Sequence, residues 1–203
     1  MSTSTTALIL VGYQNDFFAQ DGIMRGVVED PTRLDSVLVS TMHFIEEMAG
    51  TEMTIISTPI VLAPDYRAMA NPVGILNTIK ESGAFTVGSF GAETIPELLA
   101  YGDRIDYVSG KSGFNAFSNT ALGDVLAERG IRDVLVAGMV TSLCIDSTGR
   151  AAYERGYDVT VLSDCTSART TTEQEFFCTN VFPLYGRAMT STEVLDELRE
   201  LVA

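Results

Sequence analysis

Short apolar segments, separated for the most part by helical patterns, are the feature that most constrains the fold of this chain. A strand in a buried parallel sheet is apolar on both faces, so its sequence is nearly continuously apolar. We therefore predict an α/β fold with a mainly parallel sheet. The strand candidates are residues 7–11, 53–57, 104–108, 133–137 and 158–162.

Apolar residues recur at helical spacing in segments between and after these strands. Residues 59–95 show a weaker pattern because prolines and glycines interrupt it, which predicts loops with one short helix near residues 73–81. Long loops on an α/β scaffold commonly form the walls of substrate pockets. The other helix candidates are residues 31–49, 119–129, 142–155, 173–181 and 192–202.

Composition bounds the class of protein. The chain has 203 residues, of which 46% are apolar, and it contains no repeat or linker, so we predict a single domain over residues 1–203. Its formal charge of -14 repels phosphate groups, so neither nucleic acid nor an anionic membrane is an expected partner. No apolar run approaches the roughly 20 residues of a membrane helix, and residues 1–6 lack the basic side chains of a signal peptide. We expect a cytoplasmic protein.

The few cysteines and histidines narrow the possible chemistry. Cys144, Cys165 and Cys178 lack Cys-x-x-Cys spacing and cannot all pair within the chain, so reduced thiols are expected. The single histidine, His43, lies within a predicted helix. A two-histidine zinc site is therefore excluded, and a Cys-His or Ser-His-Asp arrangement would have to use His43.

Reactive side chains follow three of the predicted strands. Asp16 follows the first strand, Lys111 follows the third and Cys144 follows the fourth. Ligands bind beyond the carboxyl ends of the strands in an open parallel sheet, so we expect a carboxylate, an ammonium and a thiol to converge. Cys144 also lies where a helix begins, and the helix dipole and the unpaired first-turn amides favour a thiolate and can hold an oxyanion.

Sequence motifs accompany these side chains. They are Gln14-Asn15-Asp16-Phe17, Lys111 followed by Ala116-Phe117 and Thr120, and Gly138-Met139-Val140-Thr141 with Cys144. In order and spacing they resemble the isochorismatase-like cysteine hydrolases, a family that includes nicotinamidases and carbamoylsarcosine amidase. The resemblance spans nearly the whole chain. It implies a three-layer α/β/α fold with a Rossmann-like central sheet.

The resemblance also implies a cofactor-independent hydrolase that acts on a C–N bond of a small molecule, such as a carboxamide or carbamoyl group. Cys144 would attack the carbonyl to form an acyl-enzyme, and Lys111 would stabilise the thiolate and the oxyanion. The backbone amides of Val140 and Cys144 would form the oxyanion hole, with a cis peptide bond between Met139 and Val140. Relatives commonly form homodimers or homotetramers, and residues 176–185 are apolar enough for either an interface or a core.

The chain departs from the family pattern at Gly12, where the family usually has its catalytic aspartate. Glycine cannot transfer a proton. Asp16 is the nearest acid, and residues 12, 14 and 16 share one side of the chain if this segment is extended. Asp16 therefore either replaces the missing acid or braces the loop. Residues 57–62, at the place where nicotinamidases hold a metal ion, contain neither histidine nor carboxylate, so we expect no metal site.

Several side chains beside these motifs are candidates for the wall of a substrate pocket. Aromatic residues also fill protein cores, so core packing is the alternative for each aromatic candidate. The candidates are Tyr13, Gln14, Phe17, Phe114 and Phe117.

Two other functions remain open. A protein that kept the fold and lost the acid would bind a ligand without catalysis, which Gly12 favours and the retention of Lys111 and Cys144 disfavours. Vinyl-ether hydrolysis of the isochorismatase type uses the acid as proton donor, so the lack of an aspartate at position 12 makes it less favoured than amide hydrolysis.

Overall fold

Six strands form the central sheet of the computed structural model, which describes residues 1–69 and 71–200. The strands are β1 (Thr6–Val11), β2 (Thr54–Thr58), β3 (Asp106–Tyr107), β4 (Asp133–Met139), β5 (Asp158–Ser167) and β6 (Arg187–Met189). Their order is β3-β2-β1-β4-β5-β6, and each neighbouring pair is parallel. This is the strand order of the doubly wound Rossmann fold. The predicted α/β class and parallel sheet are confirmed.

Helices connect the strands and pack on both faces of the sheet. They are α1 (Asn15–Phe18), α2 (Thr32–Met48), α3 (Ile75–Ser82), α4 (Pro96–Leu99), α5 (Leu122–Glu128), α6 (Asp146–Tyr153), α7 (Thr171–Phe176) and α8 (Ser191–Glu200). None of these described helices has the length and apolar composition needed to cross a membrane. The predicted end of the last helix, Val202, lies outside the described residues.

Two apolar clusters, one on each face of the sheet, produce the three-layer arrangement. On one face, Leu8 and Leu10 of β1 belong to a cluster with α2 and α8. On the other face, Ala7, Ile9 and Val11 belong to a cluster with α5 and α6. Every residue of β1 is buried, because successive side chains point into alternate clusters. The α/β/α layering is confirmed.

The structure differs from the prediction chiefly at the edges of the sheet. β3 has only two residues, and Arg104, where the strand was expected to begin, belongs to the 3-10 turn Gly102–Arg104. The sequence does not predict β6, a short and partly exposed strand that pairs with β5. Helix α5 begins at Leu122, since Asn119 has a φ of 59° that is incompatible with a right-handed helix.

A crevice for ligands opens between the carboxyl ends of β1 and β4. The next strand after β1 lies on one side of this pair and the next strand after β4 lies on the other, so the pair marks the topological switch point. The two strands lie so close together here that a side chain at Gly138 would collide with the Val11 carbonyl oxygen. Gly138 also has a φ of 123°, so glycine meets both the steric and the conformational requirement.

Candidate active site

Cys144 lies at the switch point, on the segment that connects β4 to α6. The peptide bond between Met139 and Val140 is cis, as the resemblance implies. A single π-helical turn, Thr141–Ile145, then leads directly into α6. The Cys144 side chain is almost completely buried, and 5% of the residue surface remains exposed. The thiol is thus held close to the start of a helical segment at the carboxyl end of a central strand.

Lys111 approaches this thiol from the loop that follows β3. The Lys111 Nζ donates to Cys144 Sγ at 3.5 Å and to the Gly113 carbonyl oxygen at 2.6 Å. Lys111 has no exposed surface. Burial lowers the pKa of Lys111, although the adjacent Cys144 acts in the opposite direction by favouring the ammonium. The ammonium and the thiol, which the sequence predicts to converge, are therefore in direct contact.

Gln14 fixes the strand extension that holds Lys111 in place. Ile60, just beyond β2, forms a parallel bridge with Lys111. The Gln14 Nε2 donates to the carbonyl oxygens of Ile60 and Ala92, each at 2.7 Å, and the Gln14 Oε1 accepts from the Ile60 amide at 2.8 Å. Gln14 thereby orders the backbone beside Lys111, and the structure places it away from the cavity surface.

Two further contacts, which the sequence analysis missed, tie the Cys144 segment to its surroundings. Thr148 Oγ1 accepts from the Ala116 amide at 3.1 Å and so joins α6 to the Lys111 loop. Thr141 Oγ1 donates to Gln174 Oε1 at 2.6 Å. Thr148 lies one helical turn beyond Cys144, on the same helical face, and that spacing is the signal that could have identified it.

Two adjoining cavities lie beside Cys144 and share part of their lining. The inner cavity, of about 20 Å³, includes Cys144 in its wall and is otherwise mostly apolar. The outer cavity, of about 530 Å³, is open and rich in hydroxyl and amide groups. Ser112, Gly113 and Phe114 line both, so the two are continuous. Apolar members of the inner wall include Phe17, Ile60, Leu76, Val140 and Leu143.

The sequence of this chain matches a known family over most of its length. The sequence model of the isochorismatase domain matches residues 6–193. The chain belongs to the isochorismatase family. The sheet, the cis peptide bond and the Lys111–Cys144 pair described above are therefore features of an isochorismatase-family protein.

Individual relatives agree with this assignment. The chain is 37% identical over 173 residues to the ureidoacrylate amidohydrolase RutB of Methylorubrum extorquens, covering 79% of this chain and 69% of that protein. It is 31% identical over 108 residues to the uncharacterized isochorismatase family protein YwoC of Bacillus subtilis, covering 53% of this chain and 56% of that protein. The crystal structure of a cysteine hydrolase from Pseudomonas syringae pv. phaseolicola shares the fold, with a TM-score of 0.84 at 20% identity and coverage of 98% and 95%.

Asp16 is held away from the Lys111–Cys144 pair of this isochorismatase-family chain. Its Oδ2 accepts from the Phe85 amide at 2.6 Å, and a side chain at Gly91 would collide with its carboxylate. An extended segment would place Asp16 on the same side of the chain as position 12. Residues Asn15–Phe18 instead form a helical turn, so this alignment is lost. Within the described chain no hydrogen bond joins Asp16 to Lys111 or Cys144. The contacts match the loop-bracing alternative.

The pocket candidates divide into two groups. Phe17 and Phe114 lie in the inner cavity wall. The Tyr13 hydroxyl is hydrogen-bonded to Thr41 and Cys165, so this side chain lies in the core. Phe117 stacks on Tyr157 and under the guanidinium of Arg155. Tyr13, Gln14 and Phe117 are not among the described residues that line the two cavities, and their contacts are with core side chains or backbone groups.

Gly12 leaves the crevice without a carboxylate at the end of β1. Its φ of 75° suits glycine and strains any other residue. A side chain there would come within 3.2 Å of the Phe17 ring and 3.5 Å of the Met139 carbonyl oxygen. The described lining of the inner cavity contains no Asp or Glu.

Proposed function

We propose that this isochorismatase-family protein hydrolyses a C–N bond of a small amide through a covalent intermediate on Cys144. The observation that carries the proposal is the contact between the buried Lys111 ammonium and Cys144 Sγ in the crevice of the sheet. The similarity to an amidohydrolase over most of the chain supports the same reaction class. A cation beside a thiol and a helix N-terminus together stabilise the thiolate, which is the nucleophilic form.

The first half-reaction forms a thioester. The Cys144 thiolate attacks the amide carbonyl, and the oxygen becomes an oxyanion that the backbone amides of Val140 and Cys144 stabilise. The Lys111 ammonium then gives its proton to the nitrogen of the tetrahedral intermediate. The C–N bond breaks, the amine leaves, and the acyl group remains on sulfur.

The second half-reaction releases the acid. Lys111, now a neutral amine, takes a proton from water as the water oxygen attacks the thioester carbonyl. The C–S bond breaks, and the carboxylic acid is released. The Cys144 thiolate and the Lys111 ammonium are thereby regenerated. One amide and one water are consumed, and one acid and one amine are produced.

Lys111 carries the proton in this scheme because of what surrounds Cys144. No carboxylate lines the inner cavity among the described residues, and Gly12 has no side chain. Burial lowers the pKa of Lys111, which makes proton release to a leaving amine easier than from an exposed lysine. Proton transfer of this kind contributes roughly 10² to 10⁴ to a rate.

The test compares four variants for ammonia release from a panel of small primary amides, with mass spectrometry of the intact protein to detect an acyl adduct. Cys144→Ala abolishes turnover and the adduct, and Lys111→Met lowers kcat by about 100-fold or more. Cys178→Ala, which removes a half-buried thiol elsewhere, is the matched control and keeps activity. Asp16→Asn also keeps activity, because an amide oxygen can still accept from the Phe85 amide.

Each result has a definite consequence. Undiminished hydrolysis by Cys144→Ala would refute the covalent mechanism. Loss of activity in Asp16→Asn without loss of stability would restore Asp16 as the acid. A wild-type protein as inactive as Cys144→Ala would favour the non-catalytic binding protein.

A further inference from the structure

The described linings of the inner and outer cavities lack charged side chains, although the chain as a whole is strongly charged. Among the described residues that line either cavity, none is Asp, Glu, Lys, Arg or His. Charged residues make up 20% of the sequence. A charged ligand group entering this site would lose hydration without gaining an opposite charge, which is unfavourable.

Lys111 does not supply the missing counter-charge. It is fully buried, and two of the three N–H groups of its Nζ are donated to Gly113 and Cys144, which leaves one for a reacting nitrogen beside the thiol and none for the outer cavity. Its charge therefore offsets that of the thiolate rather than that of a distant substrate carboxylate. The net charge of -14 further disfavours the approach of an anion.

The two cavities differ in size and polarity. The inner cavity of about 20 Å³ is close to the volume of one water-sized probe, so it admits only a compact group beside Cys144. The outer cavity of about 530 Å³ has room for the larger part of a small molecule. Neutral donors and acceptors line it, among them Asn71, Asn115, Ser118 and Ser147.

We propose that the Cys144 site selects uncharged amides, with a compact reacting end at the inner cavity and a neutral, hydrogen-bonding remainder in the outer cavity. The inference rests on the proposed amide hydrolysis and adds its substrate class. It separates this chain from the relative RutB, which is named for ureidoacrylate, a carboxylate-bearing compound.

Glutaramide and glutaramate test the proposal. They match in shape and differ in one terminal group, a neutral amide in the first and a carboxylate in the second. Glutaramide is expected to have a kcat/KM at least about tenfold higher, beyond the twofold advantage of its two amides. The cationic 5-aminopentanamide is also expected to be a poorer substrate than glutaramide, because the described lining offers it no opposite charge. Ser118 is exposed and lines the outer cavity. Introducing a cation there with Ser118→Arg should raise the kcat/KM for glutaramate by about threefold.

Binding to Cys144→Ala, measured by calorimetry, separates failure of this proposal from failure of the proposed function. If no amide is hydrolysed but this variant binds glutaramide more tightly than glutaramate, the hydrolysis is refuted and the ligand class stands. Equal or better hydrolysis or binding of glutaramate overturns the selectivity. Failure of every compound to bind overturns it as well.

Discussion

Replacing Gln14 with methionine tests whether one side chain holds the active-site backbone in place. Methionine has a similar size and shape but cannot form the hydrogen bonds that Gln14 makes to the Ile60 amide and to the carbonyl oxygens of Ile60 and Ala92. Gln14 has no exposed surface, so water does not readily replace these bonds. The variant therefore leaves backbone groups at two loops without partners.

The expected loss in the free energy of unfolding follows from the number of backbone groups left without partners. A buried polar group that loses its partner costs about 1–3 kcal/mol, so three of them at the low end cost about 3 kcal/mol. We take the low end because the loops carrying Ile60 and Ala92 can relax. For a chain of this size, that loss lowers the melting temperature by about 6–12 °C. Because Ile60 bridges to Lys111, amide hydrolysis should fall as well.

The assay is urea denaturation followed by circular dichroism, with thermal melting as a second measurement. Gln20→Met is the matched control, since Gln20 is exposed and the chemical change is the same. Its free energy of unfolding should stay within about 0.5 kcal/mol of wild type. A Gln14→Met protein that loses less than about 1 kcal/mol would refute the bracing role.

Two further predictions concern cationic side chains. Arg104 donates to four carbonyl oxygens between the end of α2 and the start of β2, those of Met48, Ala49, Thr51 and Met53. Arg104→Met should therefore lower the free energy of unfolding, measured by urea denaturation, by about 2 kcal/mol. A loss below about 0.5 kcal/mol would contradict this prediction. Burial lowers the pKa of Lys111 below its ordinary 10.5, so at pH values between the folded and unfolded pKa the unfolded chain holds a proton that the folded chain has released. The free energy of unfolding of wild type relative to Lys111→Met should therefore rise with pH just below 10.5, and a flat or falling difference between denaturation series would contradict this.

The central strands were predictable because their burial leaves a local signature. β1 and β4 are buried on both faces over nearly their whole length, so their sequences are nearly continuously apolar. β6 has no such signature, because its three residues are partly exposed at the sheet edge and depend on pairing with β5. The register of β4 against β5 also shifts between Val136 and Gly138, which no local pattern encodes.

The site was predictable to the extent that strand ends determine it. The ends of β1 and β4, and the loop after β3, bring Cys144 and Lys111 together because parallel strands end at one edge. Asp16 shows the limit of this reasoning. The extended conformation that would align it with position 12 is replaced by a helical turn, and its carboxylate is held by the Phe85 amide, 69 residues away in sequence.

The sequence by itself determined the α/β class, the parallel sheet and the pairing of a thiol with an ammonium, because these follow from apolar periodicity and from which residues end the strands. The tertiary structure decided which side chains reach the cavities and that no described lining residue is charged. Those outcomes depend on loop conformation and on contacts between distant segments. Local sequence patterns do not encode such contacts, since each loop takes its direction from the backbone groups that it meets after folding.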